Sequence, residues 1–197
     1  RNSRFLKHII FTALLIAVWS YAYLHLKGFE EESLRVLIRW TAKIAAVFFA
    51  IAFGSSSLDY FLKKSWTRSL VQFRPLFGLT FFTFHTFHLG YLILLQSAFH
   101  PVFTLAKISS LAAGGMAYLF IFTMTLTTFP VIRKKITPKS WRMLHTTGSY
   151  WIWIIFANSY FKNVINKQQY YILLALFVIV MLLRIARIIH KKYQRSD

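Results

Sequence analysis

The chain has 197 residues, 57% of them hydrophobic and only 15% charged, with a formal net charge of +19. That balance excludes an ordinary soluble domain, and the apolar blocks within these residues leave no space for a nucleotide-binding domain or a Gly-rich phosphate loop. The absence of cysteine excludes disulfides, iron–sulfur clusters and thiolate-held metals.

The apolar residues fall into six blocks of roughly 18–22 residues, the length needed to span ~30 Å of hydrocarbon as helix. They predict transmembrane helices over about 9–26, 40–60, 76–96, 108–129, 144–161 and 169–189. The first follows a basic start and runs into Trp19, Tyr21 and Tyr23 without a small-residue cleavage pattern. It therefore reads as a retained helix rather than a signal peptide, and a start at Arg implies that a few residues precede it. The second span closes on Gly54 and Ser55-Ser56-Ser57, small residues that predict a close helix–helix approach there. Pro75, after Arg74, suits the first turn of the third span, where its missing N–H would be unpaired anyway.

Pro101 and Pro130 are expected to end the third and fourth spans. Small residues on the fourth, Ser109, Ser110, Gly114 and Gly115, predict a close helix–helix approach. Thr137-Pro138-Lys139-Ser140 reads as a turn into the fifth span, and Trp40, Trp66 and Trp141 sit near helix ends, where aromatic rings favour the headgroup zone. Short loops between the last four spans predict antiparallel neighbours.

The charge follows the topology. Arg1, Arg4 and Lys7, then Lys63, Lys64, Arg68 and Arg74, then Arg133, Lys134, Lys135, Lys139 and Arg142, then Arg184, Arg187, Lys191, Lys192 and Arg195 all fall on one side of a six-span arrangement. These are 17 of the 24 basic residues, while Glu30, Glu31 and Glu32 lie in the first loop on the other side. The positive-inside bias predicts both termini in the cytoplasm. The expected fold is thus an all-α integral membrane six-helix bundle, one domain over 1–197, N-in and C-in. Its basic residues face lipid headgroups rather than nucleic acid.

Histidine is the residue type that stands out. His8, His25 and His190 lie at predicted helix ends, where the ring can reach the interface, and His100 lies at the outer boundary. His85 and His88 are different: they sit mid-span, three residues apart and so within one helical turn. An ionisable group at that depth is costly. Three uses remain open for the pair: buried rings bonded to neighbouring helices, a proton relay, or ligation of haem iron. Iron held by two imidazoles needs one from each of two facing helices, and the fifth span supplies only His145. At 1.5 Å per residue, His85 lies ~15 Å and His88 ~20 Å beyond Pro75, while His145 lies ~10 Å beyond Pro138. Depth alone favours His85 as the partner of His145.

The run Phe73-Arg74-Pro75-Leu76-Phe77-Gly78-Leu79, the element Phe87-His88-Leu89-Gly90-Tyr91 and the later Lys139-Ser140-Trp141-Arg142-Met143-Leu144-His145 resemble the ferric-reductase-like transmembrane superfamily. Within it, with Arg39-Trp40-Thr41-Ala42-Lys43 opening the second span, they are most similar to the haem-binding membrane subunit of the bacterial periplasmic methionine-sulfoxide reductase system. The resemblance extends over all six spans. It implies His88 and His145 as ligands of haem iron, with His85 an added alternative to His88. A second fifth-span histidine, usual in that family, is Asn158 here.

The resemblance implies one b-type haem, or two, in an electron-transfer subunit of the bacterial inner membrane. Such a subunit passes electrons to an outer-face reductase subunit or a ferric acceptor, from a separate cytoplasmic or quinol donor. No residue supports a flavin or quinone site. The alternative is a haem-less accessory or structural membrane subunit that has kept the fold.

Overall fold

The computed structural model describes residues 2–100, 105–165 and 168–194, and these are helical with no strand among them. In chain order they form α1 (Asn2–Lys27), α2 (Glu31–Leu62), α3 (Ser65–Phe99), α4 (Leu105–Leu126), a short α5 (Pro130–Arg133), α6 (Pro138–Val164), a 3-10 turn (Gln168–Tyr170) and α7 (Tyr171–Tyr193). Four of the apolar blocks lie within α1, α2, α3 and α6, whereas 108–129 runs past the end of α4 and 169–189 begins in the 3-10 turn before α7. Among the described residues four stretches are long and apolar enough to cross a bilayer: α1, α2, α3 and Gln168–Tyr193. The described apolar part of α4 is shorter, Ala112–Leu126. α6 is diluted by Lys139, Arg142, His145, Asn158 and Lys162.

The pattern of burial suits lipid contact. Thr12, Ser20, Thr41, Thr80, Thr83 and Ser149 are buried, while Phe11, Leu15 and Val18 on α1 and Ile172, Ile179 and Leu182 on α7 are exposed. Hydrocarbon accepts exposed apolar side chains but not unsatisfied hydroxyls. Several of the buried hydroxyls accordingly bond back to their own helices: Thr12 to the His8 carbonyl at 2.9 Å, Thr41 to Leu37 at 2.7 Å and Thr83 to Leu79 at 2.9 Å.

α3 starts about eleven residues earlier than the apolar pattern indicates, and its cause is local. Lys63 takes a left-handed conformation (φ 50°) and donates its N–H to the Asp59 carbonyl, closing α2. Thr67 then donates its hydroxyl to Asp59 Oδ1 at 2.7 Å and accepts the Lys64 N–H at 3.1 Å, which starts the next helix at once. Pro75 therefore lies inside α3 rather than in its first turn, where it removes one backbone hydrogen bond. At the other end His100 (φ 45°) caps α3 as expected before Pro101. Pro130 does not simply end a helix: α4 stops at Leu126 and Pro130 begins α5. Thr137 caps α6, accepting the Ser140 N–H at 3.1 Å.

α2 and α3 form the most extensive pair, α7 packs on α2, α4 on α6, and α1 on α3. Polar cross-links fix α1 to α3: His8 Nε2 with Thr80 Oγ1 at 2.8 Å, and the Tyr91 hydroxyl donating to Ser20 Oγ at 2.6 Å. His8 thus turns into the bundle instead of out to the interface. The close helix approaches lie at Gly54, where a Cβ would stand 3.0 Å from Val180, and at Gly148, where it would stand 2.5 Å from Met124 Sδ. Gly114 and Gly115, expected to serve that purpose, have open space around them. The Ser109 and Ser110 side chains lie outside the described residues.

Candidate functional site

The centre of the bundle is aromatic. Phe49 on α2, Phe81 on α3, Phe156 on α6 and Phe177 on α7 are buried with ring centroids 5.3–6.2 Å apart. This partition separates two regions, and the histidines expected to act together lie on opposite sides of it.

On one side are His85 and His88. Their rings stack at 5.1 Å, and His85 also stacks on Tyr118 of α4 at 4.9 Å and meets Phe81 and Phe156 at 5.4 and 5.6 Å. The Tyr118 hydroxyl donates to the His85 carbonyl at 3.1 Å, tying α4 to α3. His88 Nδ1 lies 2.9 Å from the Ile38 carbonyl of α2. A carbonyl only accepts, so Nδ1 carries the proton and Nε2 keeps its lone pair. His85 Nδ1 is buried and has no hydrogen-bond partner among the described residues.

On the other side is His145, with its ring 4.2 Å from that of Trp141 and its Nε2 2.9 Å from Thr127 Oγ1. It lines a cavity of about 970 Å3 into which Phe5, Ser56, Arg74, Thr125 and Arg184 also face. Phe49, Phe81 and Ile152 also line this cavity, so Phe81 touches the His85 ring and shares the cavity lining with His145. Phe156, against His85, is eleven residues along α6 from His145, about 16 Å at 1.5 Å per residue. Among the described residues no ring contact or hydrogen bond joins His145 to His85 or His88. The structure brings His85 and His88 together but sets His145 apart from both. Asn158, at the position where the resemblance implies a second α6 ligand, is exposed.

The remaining histidines are accounted for separately. His190 Nδ1 is 2.8 Å from the Tyr60 hydroxyl, His25 packs on Tyr21, and His100 is the exposed cap of α3. Among the described residues no group of three or more His, Cys, Asp or Glu side chains is placed to hold a metal ion.

Residue-by-residue reading of the sequence passed over Tyr118, Thr127, the aromatic partition and the cavity. One signal for the cavity was present: Arg184, Arg187 and Lys191 follow i, i+3, i+7 spacing, a single cationic stripe on an otherwise apolar helix. The partition had no such signal, because phenylalanine at helical spacing is the ordinary content of an apolar span.

No protein-family model matches the chain, and no curated protein matches it.

Proposed function

We propose that this chain is a membrane-embedded electron-transfer subunit that binds b-type haem and passes electrons across the bilayer to an outer-face reductase subunit or ferric acceptor. The observation that carries the reading is the setting of His88. Metal-ligating histidines characteristically donate the second ring N–H to a carbonyl or carboxylate, which fixes the tautomer and aims the other nitrogen. The Ile38 carbonyl does this for His88 within a hydrophobic span.

A b-type haem supplies reversible one-electron chemistry at its iron. The residues of this chain fit that group from one side. His88 would hold the iron through Nε2, with Ile38 keeping its ring in orientation. His85, stacked on it, would pack beside the ring system, and Phe81, Phe156 and Tyr118 would exclude water. We do not propose a single haem shared between His88 and His145, or between His85 and His145, because no contact among the described residues joins His145 to either ring. The electron donor, quinol or cytoplasmic, belongs to a separate partner.

Six spans with both termini in the cytoplasm, in the bacterial inner membrane, complete the proposal. In this arrangement α4 and α6 cross beside the apolar helices. The basic asymmetry of the loops supports it. So does the convergence on one cavity of Phe5 from the start of α1, Ser56 near the end of α2, Arg74 from α3, Thr125 near the end of α4, Trp141 from the start of α6 and Arg187 from α7.

A second reading, a haem-less accessory subunit, is favoured by one observation: Asn158 is exposed and the described part of α6 carries no histidine beside His85 or His88. The experiment that separates them uses proteoliposomes of the purified chain with dithionite inside and ferricyanide outside. The electron-carrier reading predicts ferricyanide reduction well above that of protein-free vesicles. A rate equal to that of empty vesicles, from protein shown to be inserted, would favour the accessory reading.

A further inference from the structure

The 970 Å3 cavity is lined by neither His85 nor His88, so what it could hold is a question separate from the haem reading. Its walls carry Arg184, Arg187 and Lys191 from α7, Arg74 from α3, and Arg133, Lys134 and Arg142 from around the α5–α6 turn, and no carboxylate among the described residues lines it. Asp59, the acidic residue nearest in sequence to this end of α2, accepts a hydrogen bond from Thr67 and does not line the cavity. Like charges gathered around a partly enclosed volume repel one another, and an anion seated among them removes that repulsion.

Two buried donors sharpen the inference. Arg187 Nε and Trp141 Nε1 both have no hydrogen-bond partner among the described residues, and both residues line the cavity. A buried donor left unpaired is costly, because it has given up water without gaining a partner. Two in one cavity, beside cations without counter-charge, are what an absent anion leaves behind. The other cations are partly committed: Arg184 donates to the Tyr150 hydroxyl at 3.0 Å, Arg133 donates to the Ile136 carbonyl at 3.0 Å, and Arg74 reaches Ser56 Oγ at 3.5 Å.

The opposite wall sets the rest of the ligand. Phe49, Phe81, Leu79, Ile121 and Ile152 are apolar and buried, and they offer nothing to a second charged group. The ligand is therefore charged at one end and apolar at the other. We infer that this cavity binds the phosphate head of an anionic amphiphile, with its apolar chain against the phenylalanine partition. Basic pockets between helices on the cytoplasmic side are suited to anionic lipid headgroups, and a phospholipid of the surrounding leaflet supplies both halves of the ligand.

The test is native mass spectrometry of the detergent-solubilised full chain, titrated with phosphatidylglycerol, with phosphatidylcholine, and with inorganic phosphate as competitor. The expected result is retention of one phosphatidylglycerol per chain, phosphatidylcholine bound at least ~10-fold more weakly, and little competition from phosphate at equal concentration. Arg187→Gln combined with Trp141→Phe should weaken phosphatidylglycerol retention ~10-fold or more. Arg68→Gln, at an exposed basic residue outside the cavity, should not. Effective competition by phosphate at equal concentration would overturn the amphiphile and leave a simple anion site. Equal retention of both lipids, or wild-type retention in a folded double variant, would overturn the site altogether. Haem content is read on the same samples, so loss of the haem reading and loss of this one are told apart.

Discussion

His88→Ala is expected to lower the haem content of the purified protein by about 10-fold or more, the scale on which disturbing a metal's ligand environment acts. The side chain lost is the one whose Nδ1 is tied to the Ile38 carbonyl and whose Nε2 keeps its lone pair. His145→Ala is expected to leave haem content near wild type, because His145 lies beyond the Phe49–Phe81–Phe156–Phe177 partition with its Nε2 on Thr127. His85→Ala is expected to retain haem with a shifted Soret band, since the ring contacts it loses, with His88, Tyr118, Phe81 and Phe156, are packing contacts. If His88 alone were to hold the iron, the reduced protein should also bind carbon monoxide. Absorption spectra of the three variants at matched protein concentration decide the assignment. Haem lost in His145→Ala and kept in His88→Ala would reverse it.

The largest stability effect is expected at Arg184, where three helices meet. Its guanidinium donates to the Tyr150 hydroxyl of α6 at 3.0 Å and the Phe53 carbonyl of α2 at 3.3 Å, and lies over both of those rings at 4.8 and 4.3 Å. A hydrogen bond from a charged donor contributes about 1.5–3 kcal/mol and a cation over an aromatic face about 0.5–2 kcal/mol. Arg184→Ala should therefore destabilise the bundle by about 3 kcal/mol, seen as a melting temperature in detergent lowered by several degrees. Arg184→Lys should recover little of the loss, because an ammonium cannot reproduce the planar two-directional donation. Melting of Arg184→Ala at the wild-type temperature would mean that these contacts add nothing to holding α7 on α2 and α6.

Much of the helical layout was legible in the sequence. Long apolar blocks, Thr137-Pro138 ahead of α6 and Pro101 after α3 mark helices through hydropathy and backbone chemistry alone, and these act locally. Boundaries failed where a side chain far from the apolar block decided them: Asp59, by accepting the Thr67 hydroxyl, starts α3 at Ser65 and leaves Pro75 inside the helix. Gly148 and Gly54 carry the close approaches while Gly114 and Gly115 face open space, and the difference rests on which face of each helix turns inward. At the site, the proximity of His85 and His88 follows from their spacing on one helix. The separation of His145 does not. It depends on how far α6 is displaced along α3, a quantity set by packing of phenylalanines from four helices.

The direct measurement of the central claim is the haem-to-protein ratio of the wild-type chain, produced with ample haem supply, purified in detergent and assayed by pyridine haemochrome. The account predicts at least one b-type haem per chain, with Soret and α bands that shift on reduction. A folded, monodisperse protein carrying only trace haem would contradict it.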